Sequence, residues 1–314
     1  MQKRHVCVLI PLLIWVSLAN AQNPRAARDS YDRGVRNFER GDFAAAIDDF
    51  SRAIELSALI DRDRRREQSW SMSTPLADRA GAASITVVDP LIALSYANRG
   101  LARYRRGELR DAIGDCDRAL AIHPGLLQVY KNRSAIRWEL GDPQAAIADL
   151  DELLRKNPRD AAAFSMRGNI RLELRNLNEA LADFEQAIAL NKRIPEFYCD
   201  RGQVLQEKGD LAAAVRDYDF ALELNPRLAW ALLCRATAFQ TTGEFARALD
   251  DLNHAIEFDP KLAKAYGNRG IIKLHLGQEA EAAKDLAECI RLDPHLQPEL
   301  ERIIRTDKLR APKP

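Results

Sequence analysis

The chain has 314 residues, 30% charged and 46% apolar, with 47 Lys and Arg against 46 Asp and Glu. That composition supports a folded core and excludes an intrinsically disordered polyelectrolyte. A net charge of +1 gives no global field for nucleic acid or an anionic lipid surface.

The N-terminus reads as a secretory signal. Lys3, Arg4 and His5 form a basic head, and an apolar run from Val6 to Leu18 is interrupted by Pro11 and Ser17. Ala19-Asn20-Ala21 then supplies a cleavage site, so residues 1–21 are predicted to be removed and the mature chain to begin at Gln22. The run falls short of the ~20 residues that span a bilayer, and no later segment is apolar enough. An uncleaved N-terminal membrane anchor is the alternative. With the signal cleaved, no stable membrane span and a periplasmic or secreted location are expected. No cysteine follows the cleavage site directly, so lipid attachment there is not indicated.

Beyond the signal the chain repeats itself. Ala46, Ala112, Ala146, Ala180, Ala214, Ala248 and Ala282 mark seven copies, and from Ala112 onward the spacing is 34 residues. A fixed period of this size predicts stacked supersecondary units. Numbered from 1 to 34, the copies begin near Ala27, Ala93, Leu127, Ala161, Pro195, Ala229 and Ala263. Position 4 is aromatic in Tyr96, Tyr130, Phe164, Tyr198 and Tyr266. Position 8 is small throughout, in Gly34, Gly100, Ser134, Gly168, Gly202, Ala236 and Gly270. Position 24 is large and apolar in Phe50, Leu150, Phe184, Tyr218, Leu252 and Leu286. Small residues at 8 and 20 let two antiparallel helices approach, and large ones at 4 and 24 fill the flanks. Glycines at position 15 (Gly41, Gly107, Gly141, Gly209, Gly243, Gly277) suit a left-handed helix stop. Asp42, Glu108, Asp142, Asp210 and Glu244 follow, as acidic residues at a helix start should. Proline at position 32 ends the second helix in five copies.

The pattern resembles the tetratricopeptide repeat family over residues 27–56 and 93–296. Two departures fall in the fourth copy, with Arg175 for the turn glycine and Lys192 for the proline. The resemblance implies an all-α fold, a right-handed α-solenoid of about seven helix-turn-helix repeats with a C-terminal capping helix. Residues 57–92 are an insertion after the first repeat. Its charged part, Asp61 to Glu67, can prolong the preceding helix, and Ser69 to Ser84 reads as loop. Trp70, Met72 and the apolar Ile85–Val88 patch leave two readings, a loosely docked loop or a flap and partner contact. Residues 297–314 are read as a capping helix and tail, with Leu300, Ile303 and Ile304 on the covering face.

No catalytic constellation, metal site or cofactor motif is found, and none is expected. The five histidines are scattered. Cys116 and Cys289 fall at core positions, whereas Cys199 and Cys234 on neighbouring first helices are the one pair worth testing for a disulfide. Two charges are locked to the period. Position 7 is Arg33, Arg99, Arg133, Arg167, Arg201, Arg235 and Arg269; position 23 is Asp49, Asp115, Asp149, Asp183, Asp217, Asp251 and Asp285. They predict a structural ladder of ion pairs. An arginine row binding an anionic polymer is the alternative.

The resemblance also implies a concave groove lined by first-helix positions 2, 5, 6, 9, 12 and 13. Phe38, Tyr104 and Trp138 would form an aromatic wall. Glu139, Glu173, Glu207, Glu196 and Asp200 would form an acidic floor, with Asn98, Asn132 and Asn268 offering amides. An extended peptide with apolar and basic residues would suit such a groove; repeat packing and a solvated acidic face are the bland alternative. The Lys/Asn/Arg clamp some relatives use fits poorly, because Ala135 and Met166 stand where its polar residues belong. The expected function is a non-enzymatic scaffold for a protein or peptide. RNA binding, opposed by the neutral charge, and an enzyme using the inserted loop are the alternatives.

Overall fold

In a computed structural model of the chain, residues 24–72 and 90–310 are described. The expected signal, the Ile85–Val88 patch and the C-terminal tail lie outside them, as do the side chains of Trp70 and Met72. Among the described residues every regular element is helical and none is a strand. The fold class is an all-α helical-repeat solenoid.

The described residues up to 158 form one compact unit. It contains α1 (Pro24–Glu39), α2 (Phe43–Met72), α3 (Pro90–Arg105), α4 (Leu109–Ile122), α5 (Leu127–Glu139) and α6 (Pro143–Lys156). Each helix packs on the next, and the first helices α1, α3 and α5 also touch in series. Two boundaries depart from the 34-residue template. The repeat pattern ends at residue 56, but α2 continues to Met72, through the charged segment and the first residues of the expected loop. Helix α3 starts at Pro90, three residues before the expected Ala93, because proline is well placed in a first helical turn.

The described residues from 159 onward belong to the second unit. Its helices are α7 (Ala161–Glu173), α8 (Leu177–Leu190), α9 (Pro195–Glu207), α10 (Leu211–Leu224), α11 (Ala229–Thr242), α12 (Phe245–Phe258), α13 (Ala263–His275) and α14 (Glu279–Leu292). After a 3-10 turn at Pro294–Leu296, α15 (Gln297–Arg310) follows. Leu300 of α15 is buried with Ala263, Ile271 and Cys289, and Ile303 packs at the edge of that cluster. The last hairpin's apolar edge is thus covered within the chain.

The close approach inside each hairpin has a visible cause. All seven position-20 alanines are fully buried. A Cβ built on Gly202 would meet the Tyr218 ring at 2.5 Å, and one on Gly168 would meet Phe184 at 2.9 Å. Full burial of a ring like Phe184 stabilises by about 1.5–3 kcal/mol. Two hairpins with leucine at position 24 carry a larger residue at position 8, Ser134 and Ala236, whereas a Cβ on Gly270 would still meet Leu286 at 2.9 Å. Ser134 sits across from Leu150 and donates its hydroxyl to the Ala146 carbonyl at 2.9 Å.

The turns repeat with one exception. Six glycines hold φ between +74° and +85°, and Arg175 takes the same place at φ +63°, where an L side chain costs about 1–2 kcal/mol. Asp42, Asp142 and Asp210 each accept the backbone N–H three residues on at 3.0 Å. Glu108 and Glu244 make no such bond, so only the shorter acid caps. Position 31 supplies a stop that the sequence reading assigned to proline alone. Asn191, Asn225, Asp259 and Asp293 each accept the N–H two residues ahead at 3.0–3.1 Å. These side-chain turns explain how the hairpin junction forms at Lys192 without proline.

Candidate functional site

The arginines at position 7 turn toward aspartates across their own hairpins. Arg99 donates Nε and Nη2 to the two Asp115 oxygens at 2.9 and 2.7 Å. Arg201–Asp217, Arg235–Asp251 and Arg269–Asp285 repeat that fork at 2.6–2.9 Å. Arg167 holds Asp183 at 3.0 and 2.6 Å, Arg133 holds Asp149 at 2.5–3.2 Å, and Arg33 holds Asp49 at 2.9 Å.

Position 11 adds a second cation. Arg103, Arg137, Arg171 and Lys273 lie 2.6–2.9 Å from the same aspartates of their repeats. The remaining guanidinium nitrogen crosses to the preceding repeat, from Arg133 to Asp117 at 2.5 Å and from Arg235 to Asp219 at 2.7 Å. From Arg99 to Arg269 each arginine also lies near an aromatic face, as Arg99 does over Tyr96 at 5.2 Å, a cation–π contact. Burial pulls the Arg133 guanidinium down, but its bonds to Asp149 and Asp117 outweigh that and the net shift is upward. Hydrogen bonding to Asp251 is the largest cause of the upward shift at Arg235.

The candidate groove residues fall into different environments. Phe38 is half-buried and packs edge-on against Phe43 of its own hairpin, centroids 5.2 Å apart. Tyr104, Trp138 and Glu139 are half-buried at the ends of α3 and α5. Asn98 is buried and donates to the Tyr31 hydroxyl at 2.8 Å; burial in turn pushes that phenol up to about 12. Asn132 is buried too and accepts from Gln128 at 3.0 Å. Asp200 is buried and accepts from Asn169 at 3.0 Å. Glu173 is exposed, and Glu207 is paired with Arg175. Cys116, Cys199, Cys234 and Cys289 are buried and form no disulfide, so Cys199 and Cys234 are not bridged. Burial pushes the Cys116 thiol up to about 12.

The sequence reading did not anticipate a pocket of about 280 Å³ in the second unit, among α9, α11 and α13. It is lined by Gln203, Gln206 and Glu207 of α9, by Trp230, Leu233, Cys234 and Thr237 of α11, and by Lys264 and Asn268 of α13. Of the expected groove residues Glu207 and Asn268 belong to it. The lining occupies repeat positions 2, 5, 6, 9, 12 and 13. Positions 2, 5, 6, 9, 12 and 13 of the last three repeats point to this lining, but from those repeats the sequence pattern singled out only the charged and amide residues Glu196, Asp200, Glu207 and Asn268.

The lining's polar groups are partly ordered by one another. Asn268 donates to Thr237 Oγ1 at 3.0 Å, and Thr237 donates to the Leu233 carbonyl at 2.8 Å. Gln203 donates to Cys234 Sγ at 3.3 Å, and Gln206 accepts from the Tyr218 hydroxyl at 3.1 Å. Trp230 and Leu233 supply apolar surface beside these amides. Such a mixture of apolar wall and convergent polar groups is what small binding sites present.

Residues 136–196 and 199–263 match one profile of the tetratricopeptide repeat, and residues 263–296 match another. Together these cover just over half of the chain. A tetratricopeptide repeat protein from Parabacteroides merdae aligns with a TM-score of 0.68 at 21% identity, over 89% of this chain and 98% of that one. Pseudomonas aeruginosa pilF aligns at 0.56 and 19% identity, over 64% and 92%. A chain of the APC/C hetero-tetramer Cut9–Hcn1 aligns at 0.60 and 17% identity, over 86% and 54%. At these identities the likeness concerns the fold. No curated protein matches the sequence.

Proposed function

Because the chain belongs to the tetratricopeptide-repeat family, we propose that it is a non-enzymatic scaffold that binds a protein or peptide segment on its first-helix face. Proteins of this family generally mediate protein–protein interactions. The observation that carries the reading is the α9–α11–α13 pocket. Three successive first helices contribute to it, on helices held in place by buried alanines and ion pairs. Such a wall is ordered before the ligand arrives, so less of the binding free energy is lost to ordering. The half-buried Tyr104 and Trp138 of the other unit are a second contact candidate on the same helix face. Residues 1–21 support export as the setting, and no helix among the described residues is long and apolar enough to cross a membrane.

A photo-crosslinking residue placed at Lys264, in the cell that exports the protein, tests the reading. The expected result is one discrete adduct that is lost when Trp230 is also changed to Ala. The same residue placed at Phe220, exposed on the second helix α10, should give none. Equal capture from both positions would show that the pocket is not the binding face.

A further inference from the structure

Arg175 is the one non-glycine with positive φ among the described residues, and it stands where the other six repeats have glycine. The turn therefore carries a side chain at the expense of backbone comfort. That side chain pairs with Glu207. Glu207 is the acidic residue of the α9–α11–α13 pocket, and Lys264 is its basic one. Lys264 is exposed and forms no ion pair among the described residues. Gln206 spends its carbonyl oxygen on Tyr218, and its Nε2 has no partner among the described residues. With Glu207 occupied, the charge and the donor left to a ligand are those of Lys264 and Gln206.

We propose that Arg175 sets the charge preference of this pocket. By holding Glu207 it disfavours segments bearing lysine or arginine, and it leaves Lys264 and Gln206 to receive a carboxylate. The ligand class that follows is an acidic segment with an apolar side chain for Trp230 and Leu233. The inference deepens the proposed binding role of the pocket and rests on it. It also reverses the preference for basic peptides drawn from the acidic residues of the sequence, because Glu207 is already paired within the chain.

The test uses the full chain and two fluorescein-labelled peptides of equal length, acetylated and amidated, one alternating leucine with glutamate and the other leucine with lysine. Anisotropy titrations should show the glutamate peptide binding about tenfold more tightly to the wild type, a ratio typical of one favourable charge contact. Arg175→Gly frees Glu207 and suits the turn, so the protein should fold while the ratio falls to near one. Adding Glu207→Gln should restore the preference for glutamate. Lys264→Met should weaken the glutamate peptide alone. An unchanged ratio in Arg175→Gly would overturn the inference while leaving the pocket a binding site. No binding of either peptide to wild type or variant would overturn the binding role of the pocket as well.

Discussion

At the scale of single residues, the seven arginine–aspartate pairs share a repeat position but not an environment. The Asp149 side chain is 4% exposed and that of Arg133 15%, whereas Asp49 and Arg33 are 16% and 50% exposed. Removing a buried partner strands the charge left behind, at about 3–5 kcal/mol. An exposed pair contributes about 0–1 kcal/mol. Asp149→Ala takes the buried carboxylate from both Arg133 and Arg137 and leaves them the exposed Asp117, so it should lose about 3 kcal/mol, the low end of that range, and Asp49→Ala about 1. Urea unfolding of the two variants measures the difference. Equal losses would mean that burial does not set the strength of these pairs. The alternation of charge was legible in the sequence because both residues recur in every copy. The second cation at position 11 was not read, since that position varies among Asn37, Arg103, Arg137, Arg171 and Lys273.

At the scale of helices, positions 8 and 24 must be chosen together. Gly202 leaves no room for a Cβ beside Tyr218, yet Ala236 faces Leu252 in the next hairpin with both fully buried. Gly202→Ala should therefore destabilise by about 1–3 kcal/mol through overpacking. In the Tyr218→Leu background the same change should cost less, although that background loses the hydroxyl bond to Gln206. A double-mutant cycle reads the coupling directly, and strictly additive losses would refute it. Helix number and most helix ends were legible because each copy restates the same stops and caps. The end of α2 was less so, since a charged helix and a charged loop share a composition once the period stops. The groove was the least legible part. Period fixes which face a residue occupies, but Asn98 is claimed by Tyr31, 67 residues away, and Glu207 by Arg175. Such non-local partners decide which polar groups stay available, and no local pattern records them.

At the scale of the whole molecule, the carboxylates that the fold perturbs shift in one direction. Hydrogen bonding to Arg155, Arg247 and Arg291 holds Glu152, Glu244 and Glu288 below the usual carboxylate range, Glu152 to about 2. At Asp285 burial pushes the carboxyl up, but the bonds from Arg269 and Lys273 outweigh it and the net shift is downward. A folded-state pKa below the unfolded one stabilises above the unfolded value, near 4 for these groups, and that stabilisation is lost as pH falls through the folded value. The melting temperature should thus be nearly flat from pH 7 to about 5 and drop below about 4. The two kinds of group separate by salt. The three glutamates sit in exposed pairs with arginines three residues on, which salt screens, while the Asp285 side chain is 8% exposed and largely escapes screening. High salt should therefore remove the glutamates' share of the acid limb and keep that of Asp285, which Asp285→Asn should flatten. An acid limb that disappears entirely in high salt would assign the pH dependence to the surface pairs instead of Asp285.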